Sequence, residues 1–195
     1  MIVDFCAGSG GKALLLGAMM QNHGRVYAFD VSDKRLLNLK PRLKRSGLSN
    51  VHAQRIAHEN DAKIKRLAGK IDRVLVDAPC SGMGTLRRNP DLKWRQSAQS
   101  IVELKQKQSL ILGHAASLLK PGGRLVYATC SILPEENEEI VDGFIKDHRQ
   151  FKQIHCGGIL AQQSIALDTG TFLRILPHTH HTDGFFAAVM EKSNA

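Results

Sequence analysis

Short apolar runs recur along this chain, and stretches with helix-like character separate them. The runs fall at residues 2–5, 25–30, 51–56, 71–77 and 124–129, with 71–77 the clearest. Strands alternating with helices build an α/β domain around a mostly parallel, doubly wound sheet, since a parallel pair needs a crossover between its members. In such sheets ligands bind outside the carboxyl ends of the strands, near the point where strand order reverses. That rule narrows the search for function to residues lying just after strands.

The intervening segments carry ordinary start and stop signals. A helix is expected over 12–21, broken by Gly24. A second starts at a Ser32 or Asp33 cap, is kinked by Pro41 and ends at Gly47. A short helix is expected over 62–68, and a Gly-, Pro- and Arg-rich loop from Ala78 to Gln96. A long helix then runs to Leu119, where Pro121-Gly122-Gly123 stops it. Residues 134–148 read as a helix whose acidic first turn, Glu135 and Glu136, suits the helix dipole. Short strands are expected at 151–155, 172–176 and 185–190, with 162–170 the most loop-like connection.

The chain has 195 residues and is expected to form a single domain over 1–195. Its 27 Lys and Arg against 18 Asp and Glu leave a net charge of +9, which points to a polyanionic partner such as nucleic acid. Cys6, Cys80, Cys130 and Cys156 are far apart and form no CxxC pair, which argues for a reducing compartment and against zinc. No apolar run reaches the roughly 18 residues of a membrane span, and the start does not read as a secretory signal. A cytoplasmic monomer without a metal is expected. His178, His180 and His181 read as a polar loop before the last strand.

Four strand ends carry chemistry. The first is Asp4-Phe5-Cys6-Ala7-Gly8-Ser9-Gly10-Gly11-Lys12, whose small residues let backbone approach a ligand at a helix N-terminus. It lacks the spacing of a phosphate-cradling P-loop. The second is Asp30, which can hold ribose hydroxyls or simply cap a helix. Together these describe an adenosine pocket without a pyrophosphate site, as S-adenosylmethionine requires. The third and fourth are Asp77-Ala78-Pro79-Cys80-Ser81-Gly82 and Thr129-Cys130-Ser131. They place two cysteines over one pocket, as reactive thiols or as buried structural ones.

The segments Asp77 to Gly82, Arg88-Asn89-Pro90-Asp91, Ala128-Thr129-Cys130-Ser131, Leu176-Pro177-His178 and Thr182 to Phe186 closely resemble the Sun/Fmu (RsmB-type) RNA cytosine-5 methyltransferases. The resemblance covers essentially the whole chain. It implies a Rossmann-like class I methyltransferase fold with an antiparallel C-terminal strand, S-adenosylmethionine as cofactor and RNA, ribosomal RNA above all, as substrate. It makes Cys130 the nucleophile and Cys80 the residue that helps release product, with Asp77 near the base and the cofactor. It assigns Cys6 to Lys12 and Asp30 to the cofactor, with Asp61 near the adenine.

The implied chemistry accounts for two thiols. Carbon 5 of cytosine is a poor nucleophile, and a thiolate adding to carbon 6 makes it enamine-like. A base must afterwards remove the carbon 5 proton so that the thiolate can depart. The chain departs from the family's Ala-Pro-Gly-Gly-Lys-Thr turn at Ser9 and Ala13, and Ser9 is expected to loosen it. Family members carry substantial sequence before this turn, including an RNA-binding region, so the chain reads as N-terminally truncated. The alternative to an enzyme is accordingly a remnant that binds cofactor or RNA and does little chemistry. RNA contacts are expected from Arg87, Arg88, Lys93 and Arg95, with Trp94 available for stacking. The cations Lys34, Arg35, Lys40, Arg42, Lys44 and Arg45 spread round a helix and read as a solvated face.

Overall fold

The computed structural model describes residues 1–167 and 169–194. Asp168, within the expected 162–170 connection, and Ala195, the end of the expected domain, lie outside the described residues. The chain alternates as expected through β1 (Ile2–Asp4), α1 (Gly11–Met19), β2 (Val26–Asp30), α2 (Asp33–Ser46), β3 (Val51–Arg55), α3 (Ala62–Lys65) and β4 (Ile71–Asp77). It continues through α4 (Leu92–Arg95), α5 (Ala98–Ser117), β5 (Leu119–Thr129), α6 (Glu138–Asp147), β6 (Phe151–Ile154), α7 (Cys156–Gln162), β7 (Leu173–Ile175), α8 (Pro177–His180) and β8 (Phe185–Lys192). The strands form one sheet in the order β3-β2-β1-β4-β5-β8-β6, with β7 also on β8.

Strands β1 to β5 are mutually parallel. β8 runs antiparallel to β5, and β6 and β7 run antiparallel to β8. Among the described strands β8 is thus the one that runs against the rest, the expected antiparallel C-terminal strand. Strand order reverses between β1 and β4, so the ends of those two strands and of β5 frame the crevice.

Alternating side chains explain why both faces are covered. Val26 and Ala28 of β2 pack with Leu36 and Leu39 of α2 and Ala13 of α1. Phe29 and Val3 face the other way, into a larger core with Ile64, Ile111, Leu112, Ile140 and Phe144. Helix α2 is capped by the Ser32 side chain, which accepts from Arg35 N–H, and ends at Gly47 with φ 69°. Its span continues through Pro41 to Ser46.

Three expectations about elements need correction. α5 stops at Ser117, and Pro121-Gly122-Gly123 lies inside β5 instead of ending the helix. The reason is that Leu118 and Leu119 are fully buried and the Leu118 carbonyl accepts from the N–H groups of Lys70 and Ile71, both at 3.0 Å. The Pro-Gly-Gly stretch is the irregularity by which Ile71 pairs Leu119 while Arg73 pairs Arg124. The helix expected from Pro134 begins as a 3-10 turn over Pro134–Glu136, and α6 proper starts at Glu138. The expected open connections also hold the short helices α4, α7 and α8.

Candidate active site

A cavity of about 740 Å³ opens at the carboxyl ends of β1, β2, β4 and β5. Its lining includes Asp4, Cys6, Lys12, Asp30, Asp77, Cys80 and Cys130. That volume lies in the range of small-molecule sites.

The Gly-rich turn is shaped to bring backbone close. Gly8 and Gly10 have φ of 56° and 81°. At Gly10 even a methyl group would fall 2.1 Å from Leu39 Cδ1, so the tight packing of α1 on α2 demands glycine. Asp30, almost wholly buried, ties turn and strand together. One of its oxygens accepts from Gly8 N–H and the other from Ser32 N–H, each at 2.8 Å. Ser9, expected to loosen the turn, has its carbonyl held by Arg42 Nη1 at 2.8 Å. Arg42 therefore belongs to the turn's support rather than to a solvated face.

Asp61 is placed differently from the expectation. Its side chain caps α3 through Lys63 N–H and also accepts from Ala57 N–H, both at 2.8 Å. The cavity is lined on that side by Ile56 and Glu59. Asp77 does reach the cavity, where Lys12 Nζ donates to it at 2.7 Å.

The two strand-end cysteines meet. Cys80 and Cys130 bring their sulfurs to 3.2 Å, because β4 and β5 are neighbours with Asp77 paired to Ala128. The Cys80 S–H donating to Cys130 pulls the Cys130 pKa down to about 7, against the opposing effects of burial, Asp77 and Glu136. The same contact, with burial, drives the Cys80 thiol far up. Burial and the carboxylates of Asp4, Asp30 and Asp77 push Cys6 up to about 12, so it stays a thiol. Of the three cysteines lining the cavity, Cys130 is the one poised to ionise near neutrality.

A buried polar lattice holds the two cysteine loops. Fully buried Glu136 accepts from Ser81 N–H at 2.8 Å, from the Ser81 hydroxyl, and from Gln108 Nε2 at 3.0 Å. Gln108 also donates to the Pro79 carbonyl at 2.9 Å. On the other loop Asn137 donates to the Ser131 carbonyl at 3.1 Å, and the Tyr127 hydroxyl donates to the Glu136 carbonyl at 2.6 Å. Glu136 was read from sequence as a helix-dipole acid. Its position 55 residues from Ser81 hides this role in a linear reading.

The expected RNA contacts lie on the loop beyond Cys80 and outside the cavity lining. Arg88 pairs with Asp183 at 3.0 Å, Arg95 with Asp91, and Arg87 donates to the His181 carbonyl. Lys93 sits 4.8 Å above the Trp94 ring, which is 81% exposed. Among the described residues no group of three or more His, Cys, Asp or Glu is placed to hold a metal. No helix there is long and apolar enough to cross a membrane.

A family model described as 16S rRNA methyltransferase RsmB/F matches residues 1–191. The chain belongs to this family. RsmB/F proteins are S-adenosylmethionine-dependent rRNA methyltransferases. This RsmB/F chain is 39% identical over 98% of its length to a probable ribosomal RNA small subunit methyltransferase B from Synechocystis. It is 36% identical, over the same share, to the Bacillus subtilis protein of that description. It spans 43% of the length of each of these two relatives. Among solved structures it resembles NSun6 from Pyrococcus horikoshii, determined with the S-adenosylmethionine analogue SFG. The TM-score is 0.84 and identity 31%, over 98% of this chain and 47% of that one.

Proposed function

We propose that this chain is the catalytic portion of an enzyme that methylates carbon 5 of cytosine in RNA, ribosomal RNA above all, using S-adenosylmethionine. The observation that carries the reading is the Cys80–Cys130 pair at 3.2 Å over the cavity, with Cys130 ionising near neutrality. Methyl transfer to nitrogen or oxygen needs no such thiolate, whereas activation of carbon 5 does.

The residues present fit the cofactor. The turn from Cys6 to Lys12 offers backbone to its amino-acid end, and Asp30 stands at the end of β2 for the ribose. Glu59 takes the position on the cavity wall that Asp61 was expected to hold. When bound, S-adenosylmethionine supplies the electrophilic methyl group. In the proposed reaction Cys130 Sγ, as thiolate, forms a bond to carbon 6 of the cytosine, and the electron pair displaced toward carbon 5 takes up the methyl. Asp77, its charge balanced by Lys12, lines the same cavity as both thiols and would accept from the base's amino group or protonated ring nitrogen. Loss of the carbon 5 proton to a base then breaks the Cys130–carbon 6 bond, and Cys80 serves this release step. The target nucleotide has to be unstacked, or already single-stranded, to reach the thiols. Four cysteines without a paired framework suit the reducing cytoplasm, and the chain is proposed to act as a monomer.

The test is transfer of labelled methyl from S-adenosylmethionine to total RNA by the purified chain, followed by digestion to nucleosides. Label in 5-methylcytidine is the expected result. Label confined to any other nucleoside overturns the cytosine-5 reading.

A further inference from the structure

A second cavity, of about 180 Å³, opens on the same rim of the sheet. It lies between the loop after β5, the start of α6, and strands β7 and β8, and its lining includes Ser131, Ile132, Glu138, Arg174, Leu176 and Phe185. That volume is below the range of whole small-molecule sites, so it suits one flat group rather than an entire ligand. The second cavity adjoins the first. Ser131 follows Cys130 directly in the chain. The Phe185 ring centre lies 5.9 Å from Nζ of Lys12, which lines the catalytic cavity.

The chemistry of its lining is selective. Ile132 is 40% exposed and Phe185 half-buried, so apolar surface is left uncovered beside the thiols. The buried polar residues of the lining are already engaged. The Ser131 hydroxyl accepts from Leu133 N–H at 3.1 Å, and Asn137 accepts from the Thr129 hydroxyl while donating to the Ser131 carbonyl. What remains to meet a polar group is the ion pair of Arg174 on β7 with Glu138 on α6. Arg174 is half-exposed, so the pair is worth little by itself and opens readily to a ligand.

We propose that this second cavity seats the nucleobase next to the target cytosine, and that Arg174 and Glu138 select guanine there. This rests on the RNA cytosine-5 reading. When the target base leaves its stack for Cys130, its chain neighbour is drawn to the same rim, where Phe185 and the Arg174 guanidinium offer flat surfaces to lie on. A guanidinium presents two N–H donors side by side, and a carboxylate presents two acceptor oxygens. Guanine carries two neighbouring acceptors, N7 and O6, followed by two neighbouring donors, N1–H and the N2 amino group. It can therefore meet both forks with two bonds each, whereas adenine, cytosine and uracil present no such run. A good bidentate contact discriminates against the wrong base by about tenfold or more.

The experiment uses short single-stranded RNAs with one cytosine, flanked on its 5′ or its 3′ side by adenine, guanine or uracil in turn. Guanine on one side is expected to raise kcat/KM for methyl transfer about tenfold over adenine or uracil. Arg174→Gln is expected to remove that preference and to keep the rate on the other RNAs. As a second readout, 6-thioguanosine is placed at each flanking position and irradiated in complex with the unaltered protein. Crosslinks at Ile132 or Phe185 are the expected result. Equal kcat/KM on all the RNAs, a guanine preference undiminished in Arg174→Gln, or crosslinks confined to residues outside this cavity each overturn the inference. If 5-methylcytidine still forms, the cytosine-5 reading stands. Absence of 5-methylcytidine from every RNA overturns that reading instead, and the crosslink then decides the base site alone. If Arg174→Gln does not fold, Glu138→Gln, which keeps the shape of its side chain, takes its place.

Discussion

The sulfur of Cys80 lies 3.2 Å from the sulfur of Cys130, although the two residues are 50 positions apart in the chain. Adjacent parallel strands end side by side, so each strand's last turn delivers one thiol to the same point. The consequence is chemical asymmetry. One thiol donates its proton toward the other, and Cys130 becomes the better anion.

That asymmetry fixes a pH dependence. The Cys130 thiolate is the reactive species, so its alkylation by iodoacetamide is expected to rise with pH to half its limit near pH 7. Replacing Cys80 with Ala removes the S–H donor, and the midpoint is expected to move to higher pH. Mass-spectrometric rates of modification at Cys130 across pH 6 to 9 give the comparison. An identical midpoint in both proteins would show that Cys80 does not tune Cys130.

The lattice around Glu136 makes a separate prediction about stability. Glu136→Ala would strand the buried Ser81 N–H and one Gln108 donor, and would leave the Ser81 hydroxyl only the Ser131 hydroxyl as partner. Unsatisfied buried donors cost roughly 1–3 kcal/mol each, and partial relaxation leaves an expected loss of about 3 kcal/mol. Urea denaturation measures it. A loss below about 0.5 kcal/mol, the scale of ordinary surface substitutions, would mean that the lattice does not hold the loops.

The residues recognised from sequence and those that were not differ in one physical respect. Asp30, Asp77, Cys80 and Cys130 each follow a strand with a clear apolar pattern, so the pattern itself locates them at the cavity. Asp4 reads in the sequence as the first residue of the Gly-rich turn, without a role of its own, and its near-complete burial is visible only in the packing. Glu136 and Arg42 act through contacts 55 and 33 residues away, and nothing in their local sequence marks those partners. Asp61 went the other way. It has the right residue type near the right strand, but it caps α3 and, unlike Asp30, is not among the residues that line the cavity.

Close backbone approach beside the thiols gives a further test. Gly84 N–H donates to the Cys130 carbonyl at 2.9 Å, and the Gly84 carbonyl accepts from Gly184 N–H at 2.7 Å. A methyl group at Gly84 would sit 2.4 Å from the Gly184 carbonyl oxygen and 2.7 Å from that of Cys130. Backbone on both sides cannot swing away as a side chain would. Gly84→Ala is expected to cost about 2 kcal/mol, within the range for overpacking, and to slow alkylation of Cys130 as the loop shifts. Thermal melting together with the alkylation rate checks it, and a variant matching the unaltered protein in both would refute the tight contact.

RNA binding is expected to weaken steeply with salt, because phosphate contacts by Lys and Arg release counterions. The arginines after Cys80 are partly spent on Asp183, Asp91 and the His181 carbonyl, whereas Trp94 lies open with Lys93 over its ring. Trp94→Ala is therefore expected to lose about 1–3 kcal/mol of affinity for single-stranded RNA, the worth of one stacked base, with the salt slope unchanged. Arg87→Gln with Arg88→Gln is expected to flatten the slope. Fluorescence anisotropy at several salt concentrations separates the two effects. Unchanged affinity and slope in all the variants would place the RNA surface elsewhere.

The sharpest test concerns the roles of the two thiols. With Cys130 as nucleophile, Cys130→Ala has nothing to add to carbon 6, so it is expected to give neither methylated RNA nor a covalent adduct. Cys80→Ala keeps the nucleophile and lacks the residue assigned to release. It is expected to add to the base, complete methyl transfer and stall, accumulating protein-linked RNA that survives denaturing electrophoresis but not protease. The structure alone makes the exchange of roles conceivable, because both sulfurs border the same cavity and lie within contact of each other. What separates them is ionisation: the thiol lowered to about 7 can attack at neutral pH, and the one driven far up holds its proton. An adduct in Cys130→Ala and none in Cys80→Ala would reverse the assignment. Activity retained in both variants without any adduct would make the pair structural and remove the covalent mechanism.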